Sequence, residues 1–134
     1  MSRQLVHVLL VEDNALDEEL LHRSFRKLKI ANPVTVVHNG YEALDALRGT
    51  AGHKRVPRPY LILLDINMPR MNGLEFLLII RDDNELKDSV VFILLGAETD
   101  KERFAAYGGQ VTGFLLKEYI GEEFLVLPNS LKTF

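Results

Sequence analysis

The chain has no cysteine, which excludes disulfides and thiolate metal sites. The lack of disulfides fits a reducing cytosol. It also has no excess of positive charge. Sixteen Lys and Arg stand against nineteen Asp and Glu, for a net charge of −3, so composition gives no nucleic-acid footprint. After a polar start, the first apolar run is too short for a signal sequence or a membrane span. The expectation is a cytoplasmic protein without membrane attachment. No repeat, low-complexity tract or interdomain linker divides the 134 residues, so residues 1–134 read as one domain. A hydrophobic fraction of 47% is enough for a real core, and 26% charged residues is ordinary for soluble proteins.

The most informative stretch runs from Leu61 to Gly73. Leu61-Ile62-Leu63-Leu64 is an apolar run without alternation, and it ends in Asp65. A strand covered on both faces has this composition. Asp65 then sits at the strand's carboxyl end, where open α/β sheets place their sites. Asp in such a turn is often only a loop residue or helix cap. A second acidic cluster upstream, Glu12-Asp13, argues against that plain reading.

The rest of the chain alternates. Val6 to Val11 is an apolar run broken only by His7, and it ends in Glu12-Asp13-Asn14. Leu16, Leu20, Leu21, Phe25 and Leu28 follow at helical spacing. Asn32-Pro33 breaks the chain before a strand over Val34 to Val37. Asn39-Gly40 turns into a short helix carrying Ala43, Leu44 and Leu47, and a basic loop runs from Gly49 to Pro59. The central strand, Tyr60 to Leu64, is followed by a helix from Leu74 to Arg81 and a fourth apolar run, Val90 to Leu95. A short helix is expected over Asp100 to Tyr107, stopped by Gly108-Gly109. A fifth strand, Gly113 to Leu116, ends in Lys117, and a last helix from Gly121 or Glu122 is interrupted by Pro128.

Five-fold alternation of strand and helix argues for a parallel sheet with helices on both faces, joined by right-handed crossovers. In the order 2-1-3-4-5, the chain reverses between strands one and three, and a crevice opens there. Glu12, Asp13 and Asp65 would converge in it. Crowded carboxylates raise one another's pKa unless a cation neutralises them. A hard divalent ion such as Mg²⁺ suits oxygen ligands and pairs with phosphate. Lys117 is placed to offer a positive charge to that phosphate, although a lone lysine is more often a solvated surface residue.

The combination of Glu12-Asp13-Asn14, Leu63-Leu64-Asp65-Ile66-Asn67-Met68-Pro69, Met71-x-Gly73 and Leu115-Leu116-Lys117 resembles the receiver domain of two-component response regulators. Val8 to Asn14 and Pro57-Arg58-Pro59-Tyr60 look most like stand-alone regulators of the bacterial-phytochrome partner type. The resemblance implies a flavodoxin-like (CheY-like) three-layer α/β/α sandwich, with the strand order borrowed from the family's chemotaxis member. It implies that Asp65 accepts a phosphoryl group from a histidine kinase or phosphotransfer protein, and that Lys117 contacts that group. Glu12, Asp13 and Asp65 match the carboxylates that bind Mg²⁺ (or Mn²⁺), and Asn67 matches the position that gives its main-chain carbonyl. Gly73 matches a glycine that tightens the neighbouring loop, a use that suits freedom at positive φ. Output would pass through protein–protein contacts with a downstream partner, with no turnover of a separate substrate.

Two departures from the family pattern bear on switching. Gly96 stands where a Thr or Ser hydroxyl is usual, and Glu118 stands where Pro usually follows the lysine. Glu118 adds a negative charge that could draw Lys117 away from the phosphoryl group. Both departures favour a competing reading, a pseudo-receiver that binds partners with little or no response to phosphate. Phe114 matches the aromatic whose rotamer responds to the missing hydroxyl. An enzyme alternative is a phosphatase of the haloacid-dehalogenase type, but that family has a second acid where Asn67 stands. His7, His22, His38 and His53 show no ligand spacing. The helix from Leu74 is too apolar for one stripe, and deeper burial of Leu78 and Ile79 is favoured over a partner surface. Tyr107, Phe114, Phe124 and Leu125 belong to a region that serves this family as a dimer and partner face.

Overall fold

Each strand is a short apolar run that needs cover on both sides, and the chain supplies it from alternating helices. The computed structural model describes residues 4–66, 71–97, 100 and 110–134. Five parallel strands form one sheet in the order β2-β1-β3-β4-β5. They are β1 (His7–Val11), β2 (Val34–Val37), β3 (Tyr60–Asp65), β4 (Val90–Leu95) and β5 (Gly113–Leu116). The helices are α1 (Ala15–Lys27), α2 (Gly40–Arg48), α3 (Gly73–Arg81), α4 (Ile120–Leu125) and α5 (Asn129–Lys132). The fold is thus the flavodoxin-like α/β sandwich that the sequence implies. The short helix expected over Asp100 to Tyr107, the glycines at 108 and 109, and the turn residues Asn67 to Arg70 lie largely or wholly outside the described residues.

The two-residue period of the strands sorts the core into two layers. Leu9, Val11, Ile62, Leu64 and Val91 pack with α2 and α3 on one face. Val8, Leu10, Leu61, Leu63, Phe92, Leu94 and Leu115 pack with α1 and α4 on the other. Phe25 and Phe124 meet there with ring centroids 5.0 Å apart. Phe124 is therefore core and is removed from any partner face, whereas Leu125 is exposed.

Three of the described helices start on an asparagine. Asn14 Oδ1 accepts from the N–H groups of Leu16 and Asp17, Asn39 Oδ1 from Glu42, and Asn72 Oδ1 from Glu75. Such caps satisfy donors that a helix leaves unpaired, each worth about 1 kcal/mol. Each cap follows the carboxyl end of a strand, so the caps also fix where the loops around the crevice turn. Pro128 ends the last long stretch, as expected, but α5 follows it and closes onto the amino terminus. Gln4 and Phe134 exchange both backbone hydrogen bonds, and Leu5 bridges Thr133.

Two expectations about apolar faces change. Leu78 and Ile79 are exposed, not deeply buried, because Phe76, Leu77 and Ile80 already fill the side of α3 that faces the sheet. On α1, Leu21 and Phe25 are buried while Leu16 and Leu20 point outward.

Candidate functional site

Register brings the strand ends together. Val11 lies opposite Leu64, Asp65 opposite Leu94, and Leu95 opposite Leu116. The residues that follow, Glu12, Gly96 and Lys117, therefore emerge along one edge of the sheet with Asp65. An open crevice of ≈ 430 Å³ lies there, lined by Asp13, Asn14, Asp17, Asp65, Leu94, Gly96, Asp100 and Lys117. A larger hollow of ≈ 850 Å³ opens beside the amino ends of β3 and β4, near Arg58 and Tyr60. Among the described residues it holds no comparable cluster, and its Arg58 is already bonded to the Glu85 carbonyl at 2.7 Å.

Glu12, Asp13 and Asp65 each present a carboxylate oxygen within 4.8 Å of the others. Glu12 and Asp65 are buried and Asp13 is exposed. Burial, and then a hydrogen bond to Asp65, push the Glu12 carboxyl up to about 8, and Lys117 only partly offsets this. Glu12 Oε1 is buried without an aligned hydrogen bond, although Lys117 Nζ lies 2.9 Å away. Three crowded oxygens, one an orphaned acceptor, are the donor set that a hard divalent cation takes. The residues present fit such an ion.

Lys117 Nζ lies 2.8 Å from Asp17, 2.9 Å from Glu12 and 3.5 Å from Asp65. Burial works against its charge, but the hydrogen bond to Asp17 and the close carboxyl groups of Glu12 and Asp65 outweigh burial and raise its pKa. Its backbone enters a 3-10 turn, Lys117–Tyr119. Just before it, the Leu116 N–H donates to Glu123 Oε2 at 2.6 Å. The acid that draws the lysine is Asp17, not Glu118, which is exposed and outside this group of ion pairs.

Asp17 and Asp100 are the crevice acids that sequence reasoning missed. Asp17 could have been found four residues after Asp13, in the first turn of the helix capped by Asn14. Asp100, whose Oδ2 accepts from the Ala97 N–H at 3.1 Å, carries no such signal. Gly96 is exposed at the crevice, and a Cβ there would meet only Asp100 Oδ2 at 3.8 Å. Phe114 is half-buried against Ile66, Ile93 and Leu95, beneath the same edge.

Gly73 is at the site for a reason other than the expected one. Its φ is not left-handed; instead, a Cβ would lie 2.6 Å from Ile66 Cα and 2.9 Å from the Asp65 carbonyl oxygen. Close approach of α3 to the end of β3 requires the glycine. None of the four histidines joins the crevice. His7 bonds Thr35 Oγ1 at 2.7 Å, while His22 and His38 face Glu18 on the surface.

A doubly wound parallel sheet with an acidic crevice at its switch point, and a lysine reaching into it, is the arrangement of a receiver-type signalling domain. The chain belongs to the Response regulator receiver domain family, which matches residues 8–127. It is 28% identical over 127 residues to Response regulator Rcp1 of Synechocystis sp., covering 95% of this chain and 86% of that protein. Its fold is similar to that of the bacteriophytochrome response regulator RtBRR, with a TM-score of 0.79 and 31% identity over 96% of this chain and 78% of the other. It is also similar to the Mn²⁺-bound form of Rcp1, with a TM-score of 0.74 and 26% identity over 92% and 96% of the two chains. Family membership sets aside the phosphatase alternative, because receiver domains are generally signalling proteins without a separate enzymatic reaction. No described helix is long and apolar enough to cross a membrane.

Proposed function

We propose that residues 1–134 form one receiver domain that accepts a phosphoryl group on Asp65 from the phosphohistidine of a histidine kinase or phosphotransfer protein. In this reaction an Asp65 carboxylate oxygen forms the new O–P bond. The N–P bond of phosphohistidine breaks, and its electron pair returns to the imidazole. The observation that carries this reading is the clustering of Glu12, Asp13, Asp65 and Lys117 at one sheet edge, where Asp13, Asp65 and Lys117 line an open crevice and Glu12 is buried. Phosphoryl transfer needs positioning and charge neutralisation more than covalent help. Mg²⁺ or Mn²⁺, held by Glu12, Asp13, Asp65 and the main-chain carbonyl of Asn67, would neutralise the crowded oxygens. Lys117 would pair with the phosphoryl oxygens on the other side.

The phosphorylated form would signal in the cytoplasm through contacts with a downstream protein. Phe114 and the exposed end of β4 at Gly96 are the elements nearest the acceptor that could report its state. The acid cluster and the lysine are all in place, which favours this reading over a pseudo-receiver despite Gly96 and Glu118. The test is labelling by a small-molecule phosphodonor in Mg²⁺, read by intact mass. Wild type gains one phosphate and Asp65→Asn gains none; equal labelling of the two would show that Asp65 is not the acceptor.

A further inference from the structure

We propose that Asp17 is a positioning residue for Lys117, sharing its ammonium group with the carboxylates that take the cation and so limiting how far it settles on them. The inference rests on the reading of Glu12, Asp13 and Asp65 as a divalent-cation site. Asp17 stands outside that cluster, yet it makes the aligned hydrogen bond to Lys117, at 2.8 Å. The contact of Lys117 with Glu12 Oε1 is close but lacks hydrogen-bond alignment.

The lysine is held at both ends. At its root, the Leu116 N–H is bonded to Glu123, so the end of β5 has a fixed direction without the proline that usually follows the lysine. At its tip, Asp17 is itself fixed, because its own N–H donates to the Asn14 cap at 3.0 Å. The same cap fixes the chain just after Asp13, so one asparagine sets the position of a cluster carboxylate and of the lysine's anchor.

Without the Asp17 carboxylate, the remaining carboxyl groups paired with Lys117 Nζ among the described residues are Glu12 and Asp65. An ammonium group settling on those oxygens competes directly with a divalent cation for them. The plainer role for Asp17 is that of an acid in the first turn of α1, favourable to the helix dipole. That role affects folding stability but does not act through Lys117.

The two roles separate in a calorimetric Mg²⁺ titration of four proteins: wild type, Asp17→Asn, Lys117→Met and the double variant. Asp17→Asn is expected to weaken Mg²⁺ binding about threefold to tenfold, the scale of one partly exposed charge interaction. In the Lys117→Met background the same change should weaken it less than about twofold, because no ammonium remains to be misplaced. Asp17→Glu, which keeps the charge, should recover most of the affinity, and a thermal melt of each variant checks that it is folded. An equal loss in both backgrounds would assign Asp17 to the general field of the crevice and overturn the proposal, as would no loss in either. Absence of Mg²⁺ binding by the wild type would instead overturn the reading of the site on which the proposal rests.

Discussion

Replacing Gly73 by alanine tests whether α3 is seated against the end of β3 as closely as the structure shows. On propensity alone the change should stabilise. Alanine is favoured over glycine in a helix by up to about 1 kcal/mol, and it lowers the entropy of the unfolded chain by about 0.4–1 kcal/mol. No left-handed φ opposes it, since the positive-φ glycines are Gly49 and Gly52. Packing opposes it strongly. The new Cβ would stand 2.6 Å from Ile66 Cα, 2.9 Å from the Asp65 carbonyl oxygen and 3.0 Å from Ile66 Cγ1. Ordinary carbon contacts begin near 3.5 Å, so the backbones must part by roughly 0.9 Å. β3 is hydrogen-bonded to strands on both sides and cannot move alone, so α3 must shift and stretch the 3.0 Å bond from the Gly73 N–H to the Ile66 carbonyl. Overpacking of this kind costs about 1–3 kcal/mol. The gain from alanine, about 1 kcal/mol, offsets part of that, leaving a net loss of up to about 2 kcal/mol, or up to roughly 10 °C in Tm for a domain of this size. Thermal and urea unfolding followed by circular dichroism would measure it, with Gly96→Ala as the control because its Cβ meets only Asp100 Oδ2 at 3.8 Å. If Gly73→Ala melted at or above the wild-type temperature, the close approach of α3 to Asp65 would be refuted.

Two other expectations concern the crevice itself. Asp13 is the exposed member of the carboxylate cluster, so Asp13→Ala should leave the fold intact and raise the Mg²⁺ concentration needed for phosphodonor labelling; an unchanged titration would mean that Asp13 is not a ligand. The Glu12 carboxyl, raised from 4.5 to about 8, keeps its proton in the fold over a range where the unfolded chain has lost it. Its contribution to metal-free stability is therefore fully present below about pH 4.5 and is lost as the pH rises through about 8. The urea midpoint of the wild type should fall between about pH 5.5 and pH 8.5 relative to that of Glu12→Gln, in which this titration is absent. Parallel curves for the two proteins would contradict the assignment.

Much of this protein follows from its local pattern. Unbroken apolar runs such as Leu61 to Leu64 announce strands covered on both faces, and the asparagines before the helices announce where the chain turns. An acid or a lysine directly after a strand must emerge at a sheet edge, so Glu12, Asp65 and Lys117 could be placed from the order of elements alone. What remained was decided by packing. The two-residue period says that strand side chains alternate, but not that Phe124 would be sealed against Phe25. Helical spacing marks Leu16 and Leu20 as well as Leu21 and Phe25, yet a narrow contact with the sheet buries only the latter pair. Gly73 reads as a turn glycine in one dimension and proves to be a contact glycine in three. Above all, the partner of Lys117 is a carboxylate one hundred residues away, at 2.8 Å. Hydrophobic periodicity and capping act over a few residues and so are written locally. Ion pairing falls off with distance in space, whatever the separation along the chain, so only the folded structure, which sets the turn after β5 beside α1, could choose Asp17 over the adjacent Glu118.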